Sequence, residues 1–273
     1  MINRGEDDFM SYECLILETD EKRGIAWITL NRPDALNSWN LTLCKEFAEA
    51  VRGLEDNRKI KVLIVTGSGG AFSTGADLKF ARSLLDESAE KRQEMMQAIN
   101  DAFNSCEQSR LPVIAAVNGF ALAGGLELIL CCDIVLIAEN ATIGDYHANF
   151  GLIPGGGGSQ RLPRKIGEQR AKYLLFTGRW MSAGEAKEIG LVTGVVPDEK
   201  LMEEAEKLAE RIADKNPGGL KYMKHLANRS RDLPLEEGLK LEQDSFMEFI
   251  DSERDNLMEG LSAFMEKRKP EFK

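Results

Sequence analysis

Histidine is nearly absent from this 273-residue chain, which has two, His147 and His225. There is no CxxC pair and no HExxH motif, so the usual signatures of a zinc site are missing and no metal is expected. The five cysteines (Cys14, Cys44, Cys106, Cys131 and Cys132) are scattered and odd in number. They read as buried, reduced thiols of a cytoplasmic protein. No apolar run is long enough to span a bilayer. The opening MINRGEDDFM lacks a basic-then-apolar leader, and its Asp and Glu argue against a transit peptide. An excess of positive charge is also missing. The formal net charge of -10 disfavours nonspecific binding to nucleic acid or an anionic membrane. What remains is 43% hydrophobic and 29% charged, an ordinary globular composition. The length suits one large domain, or a domain with an appendage, around a sizeable core.

The chain is organised around residues 113–133, VIAAVNGFALAGGLELILCCD. A short apolar run at 113–117 reads as a buried strand. Asn118-Gly119 breaks it, small residues follow, and residues 126–132 look helical around a single carboxylate, Glu127. Glycines let backbone approach a ligand closely. A helix that starts at such a turn directs its unpaired N–H groups and positive dipole end there. Two readings are open. The turn suits an oxygen that becomes negative during a reaction, with Glu127 as neighbouring acid or base. It also suits a plain strand-to-helix connection with Glu127 as a solvated first-turn residue.

Elsewhere, 12–19 and 25–30 read as paired strands, followed by a polar loop and a helix from 41 to 54. A third strand, 60–66, ends in a second glycine-rich turn, GSGGAFSTGADL, which opens a helix at Asp77. A long amphipathic helix at 89–108 returns to the 113 strand, and 134–138 is another strand. Strand, glycine turn and helix therefore occur twice, which suggests βα units and parallel sheets. The run Gly155-Gly156-Gly157-Gly158 lacks the Lys-Ser/Thr of a P-loop and reads as a loop opening a helix. Ser182 and Glu185 form a capping-box pattern. Beyond Pro197 the chain becomes almost wholly helical, with helices expected near 200–214, 218–230, 234–250 and 255–267. The expected organisation is an α/β core at 12–199 and an all-helical region at 200–273.

Four stretches, in this order, resemble the enoyl-CoA hydratase/isomerase, or crotonase, family: NRPDALNS at 31–38, AFSTGADL at 71–78, NGFALAGGLELILCCDI at 118–134 and FGLIPGGGGSQRLPRKIG at 150–167. The 177–196 run and the ending FMEKRKPEF are similar too. The resemblance implies a crotonase-like spiral of ββα turns, with C-terminal helices packed in a homotrimer or a dimer of trimers. It implies an acyl-CoA thioester substrate, no cofactor beyond it, and a thioester enolate held by the amides of Ala76 and Gly124. Coenzyme A would lie along Ala35, Leu36, Ser73, Gly75, Asp77, Leu78, Lys79 and Gly125. Lys79 reads either as a phosphate partner or as a solvated helix cation.

Hydratases of that family use two glutamates. Glu127 matches the first, but the place of the second, four residues before Gly151, holds His147. An imidazole exchanges protons near neutral pH, so Glu127 and His147 are the expected catalytic pair of a hydratase-type lyase. Isomerisation, decarboxylation or hydrolysis of another thioester stands as the alternative. A non-catalytic acyl-CoA-binding or RNA-binding role is a further one; the acidic charge weakens the RNA option, and Glu127 with both amide turns weakens the inert binder. Asp145 and Tyr146 are candidates for orienting His147 or acting in its place. In an extended segment Asp145 and His147 share a side.

Overall fold

The computed structural model describes residues 10–272. The opening residues 1–9, on which most of the leader expectation falls, lie outside them. In chain order, β1 (Met10–Ser11), β2 (Leu15–Asp20) and β3 (Ile25–Leu30) pair antiparallel. After α1 (Leu41–Asp56), β4 (Val62–Gly67) joins β3 in parallel. The chain then repeats one pattern, a strand followed by a short strand and a helix. The first instance is β4, β5 (Ala71–Ser73), α2 (Leu78–Asp86) and α3 (Ala89–Gln108). The second is β6 (Val113–Val117), β7 (Phe120–Leu122) and α4 (Gly124–Ile129). The third is β8 (Ile134–Ala138), β9 (Thr142–Gly144), a 3-10 turn at His147–Phe150, α5 (Gly158–Ile166) and α6 (Glu168–Thr177). Then come β10 (Trp180–Ser182), α7 (Ala183–Glu188) and β11 (Gly194–Val196).

The long strands form a seven-stranded sheet, β1-β2-β3-β4-β6-β8-β11, and the short ones a four-stranded sheet, β10-β9-β7-β5. Each turn of the spiral thus steps from one sheet to the other before its helix. Val113–Val117 is buried at every position, as a parallel strand covered on both faces must be. Asn118 shows why β6 stops there. Its side-chain oxygen accepts from the Gly67 N–H at 3.2 Å, and its amide donates to the Gly69 carbonyl at 3.0 Å. One polar side chain therefore joins the break after β6 to the break after β4.

The helical region holds α8 (Leu201–Ala213), α9 (Pro217–Arg229), α10 (Leu235–Ser252) and α11 (Arg254–Glu266). In packing, α8 belongs with the spiral. Its Leu201, Ala205, Ala209 and Ala213 are buried against β3, β4, β6 and β8. The helices beyond residue 200 therefore do not share one environment, since α8 lies on the sheet. The Ser182–Glu185 capping box forms as expected. The expected helix at 126–132 instead spans Gly124–Ile129, because the glycine turn supplies its first residues.

Candidate active site

Two glycine turns meet at one point. In the first, Gly75 has φ of 98°, a conformation that side chains with a Cβ rarely adopt. A Cβ there would sit 2.7 Å from the Ala123 Cβ and 3.1 Å from the Gly124 nitrogen. A Cβ on Gly124 would in turn lie 3.6 Å from the Gly75 carbonyl carbon, to which Ala76 is bonded, so the backbone segments that carry the Ala76 and Gly124 amides are in close contact. Trp39 brackets Ala76: its N–H donates to the Gly75 carbonyl at 2.7 Å and its carbonyl accepts from the Asp77 N–H at 2.8 Å. That pairing passes over the Ala76 N–H. Gly124 is the first residue of α4, where a helix has no internal acceptor for the N–H. Ala123, just before it, holds φ 48° and ψ -113°, a strained pair of the kind that a surrounding structure must enforce.

Glu127 lies one turn into α4 and is 3% exposed. Its Oε1 accepts from the N–H groups of Gly156 and Gly158, both at 2.8 Å. The four-glycine run is therefore a cradle for this carboxylate. At Gly156 a Cβ would lie 2.5 Å from the Phe103 ring and 2.9 Å from Glu127 Oε2, so the close approach needs glycine. Arg161 holds the loop from behind. Its guanidinium donates to the Gly156 carbonyl at 3.1 Å, to Asn104 at 2.6 Å and to Glu107 at 2.7 Å. The other oxygen of Glu127, Oε2, faces Nε2 of His147 at 3.9 Å.

His147 opens the 3-10 turn rather than continuing a strand. The extended geometry expected for 145–147 is broken at Tyr146, which is left-handed at φ 64°. Asp145 and His147 meet all the same, with Oδ2 3.0 Å from Nδ1. Burial disfavours the imidazolium, but the hydrogen bond and charge of Asp145 and the charge of Glu127 outweigh it and raise the pKa of His147 above its ordinary value. Burial likewise pushes the Glu127 carboxyl up, against the lowering effect of the Gly158 amide, His147 and the Gly156 amide. The Tyr146 ring packs edge-on against Phe150 and Trp180, with centroids 5.3 and 5.1 Å away.

The remaining expected residues surround the turns unevenly. Ala35 and Leu36 lie on a loop locked by buried Asn37, whose amide donates to the Ser68 and Ala71 carbonyls at 2.8 and 2.7 Å. Leu36, Ala76, Leu78 and Lys79 are exposed. Asp77 caps α2 and pairs with Arg32 at 3.0 Å, so its carboxylate is occupied within the protein. Ser73 and Gly125 are buried, and a Cβ on Gly125 would fall 2.2 Å from the Ser73 carbonyl oxygen. Those two join the turns to each other and do not line an open groove. Among the described residues, no cluster of three or more His, Cys, Asp or Glu side chains could hold a metal ion.

A buried carboxylate and an imidazole thus stand near the meeting point of two glycine turns, and comparison with known proteins gives the arrangement a family. The sequence profile described as Enoyl-CoA hydratase/isomerase matches residues 20–273. The chain belongs to the enoyl-CoA hydratase/isomerase family. It is 40% identical to a probable enoyl-CoA hydratase of Rhizobium meliloti, over 97% of this chain and 99% of the relative. It is also 40% identical to the crotonyl-CoA hydratase of Syntrophomonas wolfei, over 96% and 99%. Among solved structures, an enoyl-CoA hydratase from Bacillus anthracis superposes with a TM-score of 0.88 at 38% identity, covering 96% of this chain and 99% of that one.

Within that family framework, three contributors to the site were not foreseen from sequence. The Gly156 and Gly158 amides serve an internal carboxylate, a use that the absence of a P-loop signature could not reveal. Arg161, the first cation after the glycines, was the available signal for what anchors the loop. Trp39 follows the NRPDALNS stretch, and its buried Nε1 has no hydrogen-bond partner among the described residues. The ring stacks edge-on to Phe103 and Phe47, 4.9 and 5.5 Å away.

Proposed function

We propose that this protein is a hydratase-type lyase that adds water across the α,β double bond of an enoyl-CoA thioester. One observation carries the reading. Glu127 has one oxygen fixed by two amides and the other 3.9 Å from Nε2 of His147, next to the paired turns of Ala76 and Gly124. The thioester oxygen lies against those two N–H groups and becomes negative as the enolate forms. Glu127 takes a proton from water, and the oxygen adds to the β-carbon. His147, as imidazolium, supplies the proton to the α-carbon. The names of the relatives, a crotonyl-CoA hydratase among them, support the same reading. Coenzyme A enters as part of the substrate, and no separate cofactor takes part.

The test is incubation of purified protein with crotonyl-CoA, followed by loss of enoyl absorbance and a mass gain of one water. No gain with crotonyl-CoA or longer 2-enoyl thioesters would sink the reading. The imidazole at position 147 favours a second reading, decarboxylation, in which loss of carbon dioxide makes the enolate and only a proton donor is needed. Carbon dioxide release from a carboxylated acyl-CoA, without hydration of any enoyl thioester, would select it.

The assembly we propose is a homotrimer or a dimer of trimers. It is supported by exposed apolar side chains on the last two helices, among them Leu239, Phe246, Leu261 and Phe264, an area that favours cover by other copies. A cytoplasmic location remains part of the proposal. Among the described residues, no helix is long and apolar enough to cross a membrane.

A further inference from the structure

Asp145 is 1% exposed and is given no part in the chemistry above. It directly follows β9, and the left-handed Tyr146 turns the chain so that the His147 ring meets its carboxylate. Asp145 Oδ2 lies 3.0 Å from Nδ1 of His147, and Oδ1 accepts from the His147 backbone N–H at 3.3 Å. A buried carboxylate needs donors, and the ring meets it favourably only with hydrogen on Nδ1. Nδ1 therefore keeps its hydrogen in both charge states of the ring, and Nε2 is the atom that gains and loses one. Nε2 is also the atom that faces Glu127 Oε2.

We propose that Asp145 is a positioning residue that fixes the tautomer of His147, so that the one exchangeable proton of the site moves between Nε2 of His147 and Oε2 of Glu127. Its consequence for turnover rests on the hydration reading, whereas the tautomer itself does not. The cycle balances. Glu127 Oε2 takes one proton of water as the hydroxyl oxygen bonds to the β-carbon and the carbon–carbon π bond becomes the enolate. The enolate carbon takes the Nε2 proton of the imidazolium, leaving a neutral ring with a bare Nε2. Glu127 then returns its proton to Nε2, which restores the carboxylate and the imidazolium, and one water has been added. A ring protonated at Nε2 and bare at Nδ1 could not complete that return.

The charges acting on the ring are Asp145, from the end of β9, and Glu127, from α4. Arg161, from α5, feels the charge of Glu127 and is not among the groups acting on the ring. α6 also packs against the His147 turn, but none of its charged groups is among those acting on the ring. With only two histidines in the chain, the imidazole nitrogens can be followed by 15N NMR, with His147→Gln giving the assignment. At a pH above its titration, the neutral His147 ring of the wild-type protein is expected to carry hydrogen at Nδ1 and none at Nε2. In Asp145→Asn the ring should titrate at lower pH and lose that single tautomer. The alkaline limb of kcat should move to lower pH, and kcat should fall roughly tenfold or more. A wild-type ring protonated at Nε2 when neutral overturns the proposal, and this measurement stands even if Asp145→Asn does not fold. A folded Asp145→Asn with unchanged tautomer and titration also overturns it. If no thioester is hydrated but the Nδ1 tautomer is present, the hydration reading fails and the positioning role survives.

Discussion

Glu127 uses its two oxygens differently, and that division decides how its substitutions behave. In Glu127→Gln the remaining carbonyl oxygen can still accept from the Gly156 and Gly158 amides, but the position facing His147 becomes an NH₂ donor. Turnover of the thioester should fall on the order of 10²–10⁴, the usual worth of a positioned acid or base. Stability should not fall with it. The native carboxyl holds its proton to higher pH than an unfolded glutamate, so it costs stability as pH rises from the ordinary glutamate range through the native value. Thermal melts should show Glu127→Gln equal to or above wild type at alkaline pH. A large loss there would mean the carboxylate is mainly structural. His147 has the same sign by a different route. Its raised pKa contributes stability below the ordinary histidine range that disappears as pH climbs through the native value. For activity, the proposed mechanism predicts an acid limb of the pH profile from protonation of Glu127 and an alkaline limb from loss of the imidazolium. His147→Gln should lower turnover by a similar factor and abolish the alkaline limb. Retention of that limb would assign it to another group.

At the scale of elements, the glycine loop at 155–158 and the arginine behind it act as one part. Gly156→Ala places a methyl against Phe103 and Glu127, and overpacking of this kind costs roughly 1–3 kcal/mol. Because the same shift withdraws an amide from Glu127, turnover should fall more steeply than the melting temperature. Equal, small effects on both would show that the loop gives way harmlessly. Arg161→Met leaves Glu107 with only Arg231 as its cation and frees the Gly156 carbonyl. We expect roughly 1–3 kcal/mol of destabilisation from the partly buried groups left unpaired, measured by denaturant titration. Much of this level was legible in the sequence. The 89–108 helix and the 113–117 strand coincide with their expected limits, because each is long or apolar enough for its periodicity to show. The strands β5, β7, β9 and β10, three residues each, are too short for alternation to register, and so the second sheet was legible only through the resemblance and its ββα turns. The reading of Glu127, Ala76 and Gly124 as site residues rests on motif resemblance and helix-end physics. The cradle of Gly156 and Gly158 was not, since nothing local tells whether a glycine run meets a ligand or its own protein.

For the whole molecule, the question is how the helical end is held. Lys224 of α9, 7% exposed, donates to the Cys106 and Leu111 carbonyls at 2.7 and 2.9 Å and pairs with Asp133 at 2.8 Å. Burial still raises the pKa of Asp133 despite that partner. Removing the ammonium therefore strands a carboxylate that already pays for its position. Lys224→Met should destabilise by about 3–5 kcal/mol, visible as a lower denaturant midpoint. The shift to all-helix composition at residue 200 was readable, but the attachment of α8 to the sheet was not. An alanine-rich stripe has the same pattern whether it meets a sheet or another helix. Further out, Phe246 and Phe264 are 58% and 84% exposed. The double change Phe246→Asp with Phe264→Asp should shift the mass seen by light scattering from oligomer to monomer. If wild type is itself a monomer at micromolar concentration, these helices need another explanation.

If hydration proceeds as proposed, the short distance between Oε2 of Glu127 and Nε2 of His147 also governs handedness. At 3.9 Å the two atoms are too close to stand on opposite sides of a flat conjugated chain, which needs a contact of about 3.5–4 Å on each face. Hydroxyl and hydrogen must then reach the same face of the double bond. Run in D₂O, hydration should yield one diastereomer of the 2-deuterated 3-hydroxyacyl thioester, with a single proton–proton coupling between the two new stereocentres. A mixture at the α-carbon would mean that bulk solvent, not the imidazole, delivers the second atom.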